Sequence, residues 1–213
     1  MNGRCYYKNK SKCDFPGTPG QNEQLEVHRR ALAAWRTLDH SVQLIWNSLA
    51  EPVISHQPPF DNTAHISGHN LFVSAYHGFY TLGDEHVPTP QPWEKFPVYA
   101  VEFLSCDRPT PDDLRLHFNV TFENCERPDR YQLLFKLQLT KSGGGKNKGK
   151  MRNFLSVAPC SAADSTVDLL IPDYRAIWDL DLPAYQVHCW YLLLDRQTGY
   201  RNIHTTLSFP ISL

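Results

Sequence analysis

Apolar residues recur at helical spacing through the first third of the chain and alternate with polar ones through its second half. From about Asn22, Leu25, Leu32, Trp35 and Leu38 fall near one stripe, while Glu23, Glu26, Arg29, Arg30 and Arg36 lie mostly elsewhere. Glu26 and Arg30 add a favourable i,i+4 pair. Thr37-Leu-Asp39 breaks this helix, and Asp39 is placed to cap a second one over 40–50, which Pro52 ends. Trp35, Leu38, Val42, Ile45, Trp46 and Leu49 then mark a continuous helical face. Pro52, Pro58, Pro59 and Asn62 make 51–65 a loop. A third helix follows from Ser67 or Gly68 to about Tyr80, with Leu71, Phe72, Ala75, Tyr76 and Phe79 on one side.

Prolines 88, 90 and 92 make 83–95 a stiff extended linker, and from Val98 the apolar period becomes two. Strands are predicted at 98–106, 114–122, 131–139, 154–157, 165–171, 185–194 and 200–211, with Asp195–Gly199 as the last hairpin turn and Trp178 in a short helical connection. Seven short strands in this span predict an antiparallel sandwich. The run Leu182-Pro-Ala-Tyr185-Gln-Val187-His-Cys189 resembles the corner and sixth strand of fibronectin type III domains, in which a Tyr after a Leu-Pro approach closes the corner. The expected fold is α+β. An extended arm (1–21), a helical module (22–82) and the linker (83–95) precede a fibronectin III or immunoglobulin-like sandwich (96–213).

A chain of 213 residues with 41% hydrophobic and 12% aromatic content can bury a core, so general disorder is excluded. The net charge of −1 argues against nucleic-acid binding driven by global charge, and no apolar run is long enough to span a bilayer. The basic, polar start, Met1 to Lys10, is not followed by an apolar stretch, so no Sec signal is expected. Cysteines 5, 13, 106, 125, 160 and 189 form no Cys-x-x-Cys pair. They read as reduced thiols, with Cys106 and Cys189 filling strand interiors and a disulfide as the alternative.

Candidate chemistry is sparse. Gly144-Gly-Lys-Asn-Lys-Gly149-Lys150-Met151 resembles a phosphate-binding loop but has Met where Ser or Thr would hold magnesium, and it joins two strands with no following helix. It reads as a mobile, solubilising hairpin tip, or as a polyanion contact through Lys141, Lys146, Lys148, Lys150 and Arg152. His56, His65, His69, His77 and His86 cluster in sequence, but no carboxylate or Cys completes a metal set, so capping and interface hydrogen bonds are expected of them. Ser67 and Ser74 lack a nucleophile elbow, and Asp112-Asp113, Asp179 and Asp181 sit in turns. No enzyme, cofactor, metal or small-molecule substrate is expected. Trp35-x-x-Leu38, Trp46 and Phe72 are similar to elements of HMG-type boxes, but 38–86 contains neither Lys nor Arg and could not neutralise phosphates.

A second likeness covers 18–79. Thr18-Pro-Gly-Gln21, Trp35-Arg-Thr-Leu38, Trp46-Asn47-x-x-Ala50 and Ser67-Gly-His-Asn70-Leu-Phe72 resemble a helical module of uncharacterised bacterial and tailed-phage proteins. The resemblance implies a role in a phage particle or surface assembly. On that reading the chain is a non-enzymatic structural protein of a virion, assembled in the host cytoplasm, whose partners are its own copies or other assembly proteins. Its contacts would use Trp35, Trp46, Phe72, Tyr76 and Phe79. A bacterial surface or adhesion module exported by a non-Sec route is one alternative, and a nucleic-acid-associated protein using 141–152 is another.

Overall fold

The computed structural model describes residues 19–53 and 65–213. Cys5, Cys13, His56 and the prolines at 58 and 59 lie outside them. Three helices come first: α1 (Pro19–Thr37), α2 (His40–Ala50) and α3 (Gly68–Thr81). The face that α1 buries carries Val27 and Ala31, whereas Leu25 is exposed. Val27, Ala31 and Ala34 pack in one cluster with Leu71, Phe72, Ala75 and Tyr76 of α3, which a stripe drawn through the leucines of α1 did not anticipate. Asp39 precedes α2 but caps it through its backbone carbonyl, which accepts from the N–H groups of Val42 and Gln43; its carboxylate makes no cap bond. Gln43 closes the corner instead, its Nε2 donating to the carbonyls of Trp35 and Leu38.

The start of α3 is built as expected. Ser67 Oγ accepts from the Asn70 N–H at 3.2 Å. At Gly68 an added Cβ would fall 2.5 Å from the Trp46 carbonyl carbon, so only glycine lets the two helices meet there. One turn on, the Phe72 ring lies edge-on to Trp46 at 5.5 Å and tilted to Trp35 at 5.4 Å. Leu71, Phe72, Ala75, Tyr76 and Phe79 all point inward, as their spacing predicts.

Seven antiparallel strands form two sheets. One has the order β1 (Val98–Asp107), β2 (Leu114–Glu123), β5 (Thr166–Ile171). The other runs β4 (Arg152–Leu155), β3 (Tyr131–Thr140), β6 (Ala184–Asp195), β7 (Thr205–Ser212). Inward residues of both sheets, among them Phe118, Phe135, Leu137, Leu169 and Val187, make one core. A five-residue helix, α4 (Tyr174–Trp178), connects β5 to β6. After it the Tyr185 hydroxyl accepts from the Leu182 N–H at 2.8 Å and donates to the Leu180 carbonyl at 3.3 Å, closing the corner. The fold is thus α+β with an antiparallel β-sandwich.

Two departures from the alternating pattern matter. All of β3 except Lys136 is buried; on its outer face Gln132 donates to the Ser156 carbonyl and Gln138 accepts from the Asn147 N–H, so the segments around 147 and 156 cover it. The last strand starts at Thr205 rather than Tyr200, and the freed residues turn toward the helices. Tyr200 is only 3% exposed and belongs to the helical core, its hydroxyl donating to the Gln91 carbonyl at 2.8 Å. Gly199, at φ +70°, lies against the Ala75 carbonyl and leaves no room for a Cβ on Gly78. The linker reinforces this seam. Phe96 packs on Tyr131, Glu94 pairs with Arg130, and Arg130 pairs with the buried Asp195. Toward the helices, Glu85 meets Arg30 at 3.4 Å and His86 packs on Phe79.

Candidate functional site

The five aromatic residues read from the sequence as contacts are placed inside the molecule. Trp46 and Phe72 are fully buried, Phe79 and Tyr76 nearly so, and half-buried Trp35 packs on Phe72 and on His69. Their apolar area is used within the chain, against α1, α2, α3 and the 199–200 turn, so a partner cannot reach it in this fold. The Trp-Asn, Ser-Gly and Phe positions of the helical module are therefore a packing signature: Asn47 and Gly68 at the helix crossing, Ser67 at the cap, Phe72 between the tryptophans.

What α2 leaves outside is different. Residues 40–50 include no Asp, Glu, Lys or Arg, and the outward positions 41, 44, 45 and 48 are Ser41, Leu44, Ile45 and Ser48. Leu44 is 53% and Ile45 50% exposed. Ile45 was expected inward with Leu38 and Val42. Trp46, one position on, takes the buried place, which turns Ile45 out.

The second surface is the outer face of the four-stranded sheet. The 141–151 segment, read as a mobile tip, is pinned there at three points. The Asn147 N–H donates to Gln138 Oε1 at 2.8 Å, and His188 Nε2 lies 2.9 Å from the Gly144 carbonyl, which fixes the N–H on that nitrogen. The indole N–H of Trp178 donates to the Lys150 carbonyl at 2.9 Å. The anchors come from β3, β6 and α4, so the loop's own glycines and lysines gave no sign of them.

Of the predicted cations, only Lys146 and Lys148 converge. Their Nζ atoms lie 5.1 and 5.5 Å from the ring centroid of Trp190, and Lys136, opposite Trp190 in the β3–β6 register, brings a third at 5.7 Å. Lys141, Lys150 and Arg152 stand elsewhere on the exposed surface, Arg152 donating to the Gly149 and Met151 carbonyls. His204 stacks on Trp190 at 4.8 Å. An open groove of about 190 Å³ runs from Lys146 past His188 to Thr206 and Ser208. Sequence reasoning missed Lys136, Trp190 and His204, because only the strand register brings them beside the loop.

The histidines near the helices are dispersed: His69 on Trp35, His77 beside His28, His86 paired with Asp84 at 2.6 Å. Among the described residues no His, Cys, Asp or Glu group is placed to hold a metal ion. Cys106, Cys125, Cys160 and Cys189 are free, and burial pushes the Cys160 and Cys189 thiols up to about 12. Among the described residues no helix is long and apolar enough to cross a membrane.

No family model matches the chain, and no curated protein matches it. Among solved structures, the crystal structure of MtrC from Shewanella baltica OS185 is similar over 54% of this chain and 22% of that one, at 10% identity and a TM-score of 0.31. The chain therefore spans about a fifth of that protein's length.

Proposed function

We propose that this protein is a non-enzymatic assembly protein that packs against neighbouring copies of itself, a phage particle being the setting that its helical module suggests. The observation that carries the proposal is the outer face of α2, a helix with no Asp, Glu, Lys or Arg that turns Leu44 and Ile45 to solvent between two serines. Surface helices ordinarily carry charge on that side, and an uncharged outer face suits contact with another protein. Covering these two half-exposed side chains contributes about 2 kcal/mol, half of the roughly 1.5–3 kcal/mol that full burial of each is worth. That is a weak contact, and repetition in a multi-copy particle makes weak contacts sufficient. The seam at Gly78, Gly199 and Tyr200 favours presenting helices and sandwich as one stiff block.

We also infer that the sandwich is of the fibronectin type III kind, supported by its three-plus-four strand order and the Tyr185 corner. The test of the assembly reading is mass spectrometry of purified particles from cells carrying the gene, paired with crosslinking. Crosslinks between α2 segments of adjacent copies are expected. Absence from particles together with a strictly monomeric state at high concentration would remove the proposal.

A further inference from the structure

We propose that Lys136, Lys146 and Lys148, gathered around Trp190, form a binding site for phosphate groups, separate from the α2 surface. Three ammonium groups lie between 5.1 and 5.7 Å from one ring centroid. Three like charges around one ring repel, and an exposed cation–π contact returns only about 0.5–1 kcal/mol each. No carboxylate offsets the charge: among the described residues the ion pairs use arginines and histidines, and none involves these lysines. The arrangement is nonetheless held in place, since Lys146 and Lys148 flank Asn147, whose N–H is tied to Gln138. The indole N–H of Trp190 is buried with no acceptor among the described residues, so it reports on a ligand through the ring and lysines around it rather than by bonding the ligand itself.

The shape of the site selects the ligand. His204 covers one part of the indole and the lysines another, so the ring is not free to stack a base. Recognition is therefore of the anion. The site is shallow and continues into the groove past His188, Thr206 and Ser208, which suits several linked phosphates lying along the sheet better than one enclosed ion. Linked phosphates come from two sources, a free oligophosphate or the phosphodiester backbone of a single strand. The overall charge of −1 makes this a local contact of modest, salt-sensitive strength.

The experiment uses the full chain and two matched double variants in the same loop, K146Q/K148Q and K141Q/K150Q, with K136Q and W190F alongside. Each removes charge or ring shape without touching the loop's backbone anchors. Binding of a fluorescent eight-nucleotide single strand is followed by anisotropy, and inorganic tripolyphosphate is the competitor. With three phosphates neutralised, the salt slope is about −2, so affinity falls roughly 20-fold between 50 and 200 mM salt. K146Q/K148Q is expected to lose at least about tenfold at low salt and to flatten that slope to near −0.7, while K141Q/K150Q stays within about threefold of the parent. Displacement by tripolyphosphate at matched phosphate concentration assigns the site to free oligophosphate; resistance to it assigns the site to a phosphodiester chain. Equal losses in the two double variants, or no binding of either probe by the parent, overturn the proposal. In the parent, a shift of the Trp190 indole N–H resonance on adding ligand, assigned by its loss in W190F, is the independent readout.

Discussion

Replacing Gly78 by Ala probes the seam that joins helices to sandwich. Alanine is the better helix former by about 1 kcal/mol, so on α3 alone the change stabilises. In the folded protein the new Cβ would sit 2.6 Å from the Gly199 carbonyl carbon and 2.8 Å from its Cα. Both are backbone atoms, and Gly199 is itself wedged with any Cβ of its own 3.0 Å from the Phe79 ring, so neither side can yield by a rotamer change. Relief requires α3 to move off the turn, which opens the packing of Tyr200 and Phe79, 3% and 4% exposed. Full exposure of either costs about 1.5–3 kcal/mol, and partial loosening of both, plus strain, comes to about 3 kcal/mol. Subtracting the propensity gain leaves a net loss near 2 kcal/mol, or about 4–8 °C in Tm for a chain of this size. Thermal and urea unfolding by circular dichroism measure it. Gly20→Ala is the control, with open space around the added atom, and should be neutral or stabilising. If Gly78→Ala melts at or above the parent, the seam is not close-packed and the rigid-block argument fails.

Two further outcomes are expected. His117 bridges Asp107 at 2.9 Å and Asp168 at 2.7 Å across the three-stranded sheet. Burial of its ring lowers its pKa, but the hydrogen bonds to Asp107 and Asp168 outweigh that and leave it raised. A raised folded pKa gives stability that is complete below the unfolded value near 6.5 and lost as pH climbs through the folded one. The urea-unfolding advantage of the parent over His117→Gln should therefore shrink between pH 5.5 and pH 9, by about 1 kcal/mol or less since both carboxylates are solvated; an advantage that grows with pH contradicts the bridge. The Cys160 and Cys189 thiols, held up to about 12 by burial, should resist iodoacetamide at pH 8 in the native protein and react only with urea present. Peptide mapping that finds either alkylated in the native state refutes their burial.

The elements were legible in the sequence because period alone carries them: 3.6 through α3, two through β2 and through β1 as far as Phe103, where the register shifts. The helix crossing was legible in part, since Ser67-Gly68 marks a start whether or not its partner is known. What escaped depends on tertiary placement. Nothing near Leu25 says that Val27 and Ala31 will take the buried side, and nothing near Ile45 says that Trp46 will displace it. The aromatics read as contacts are apolar for the ordinary reason that they fill a core. At the cationic site the loop lysines were visible, but Lys136 and Trp190 are 54 residues apart and meet only through the β3–β6 register. The anchoring of the loop by Gln138 and His188 was hidden for the same reason.

If the uncharged outer face of α2 joins one copy to another, charging that face must separate the copies. Sedimentation of the parent and of L44E/I45E across a concentration series tests it most directly. Both side chains are half exposed, so the double variant should stay folded, with an unchanged circular dichroism spectrum and a Tm lowered by the loss of their buried halves. The parent should associate reversibly at high concentration, and the double variant should remain a monomer throughout. Identical sedimentation of the two folded proteins at every concentration contradicts this role of α2.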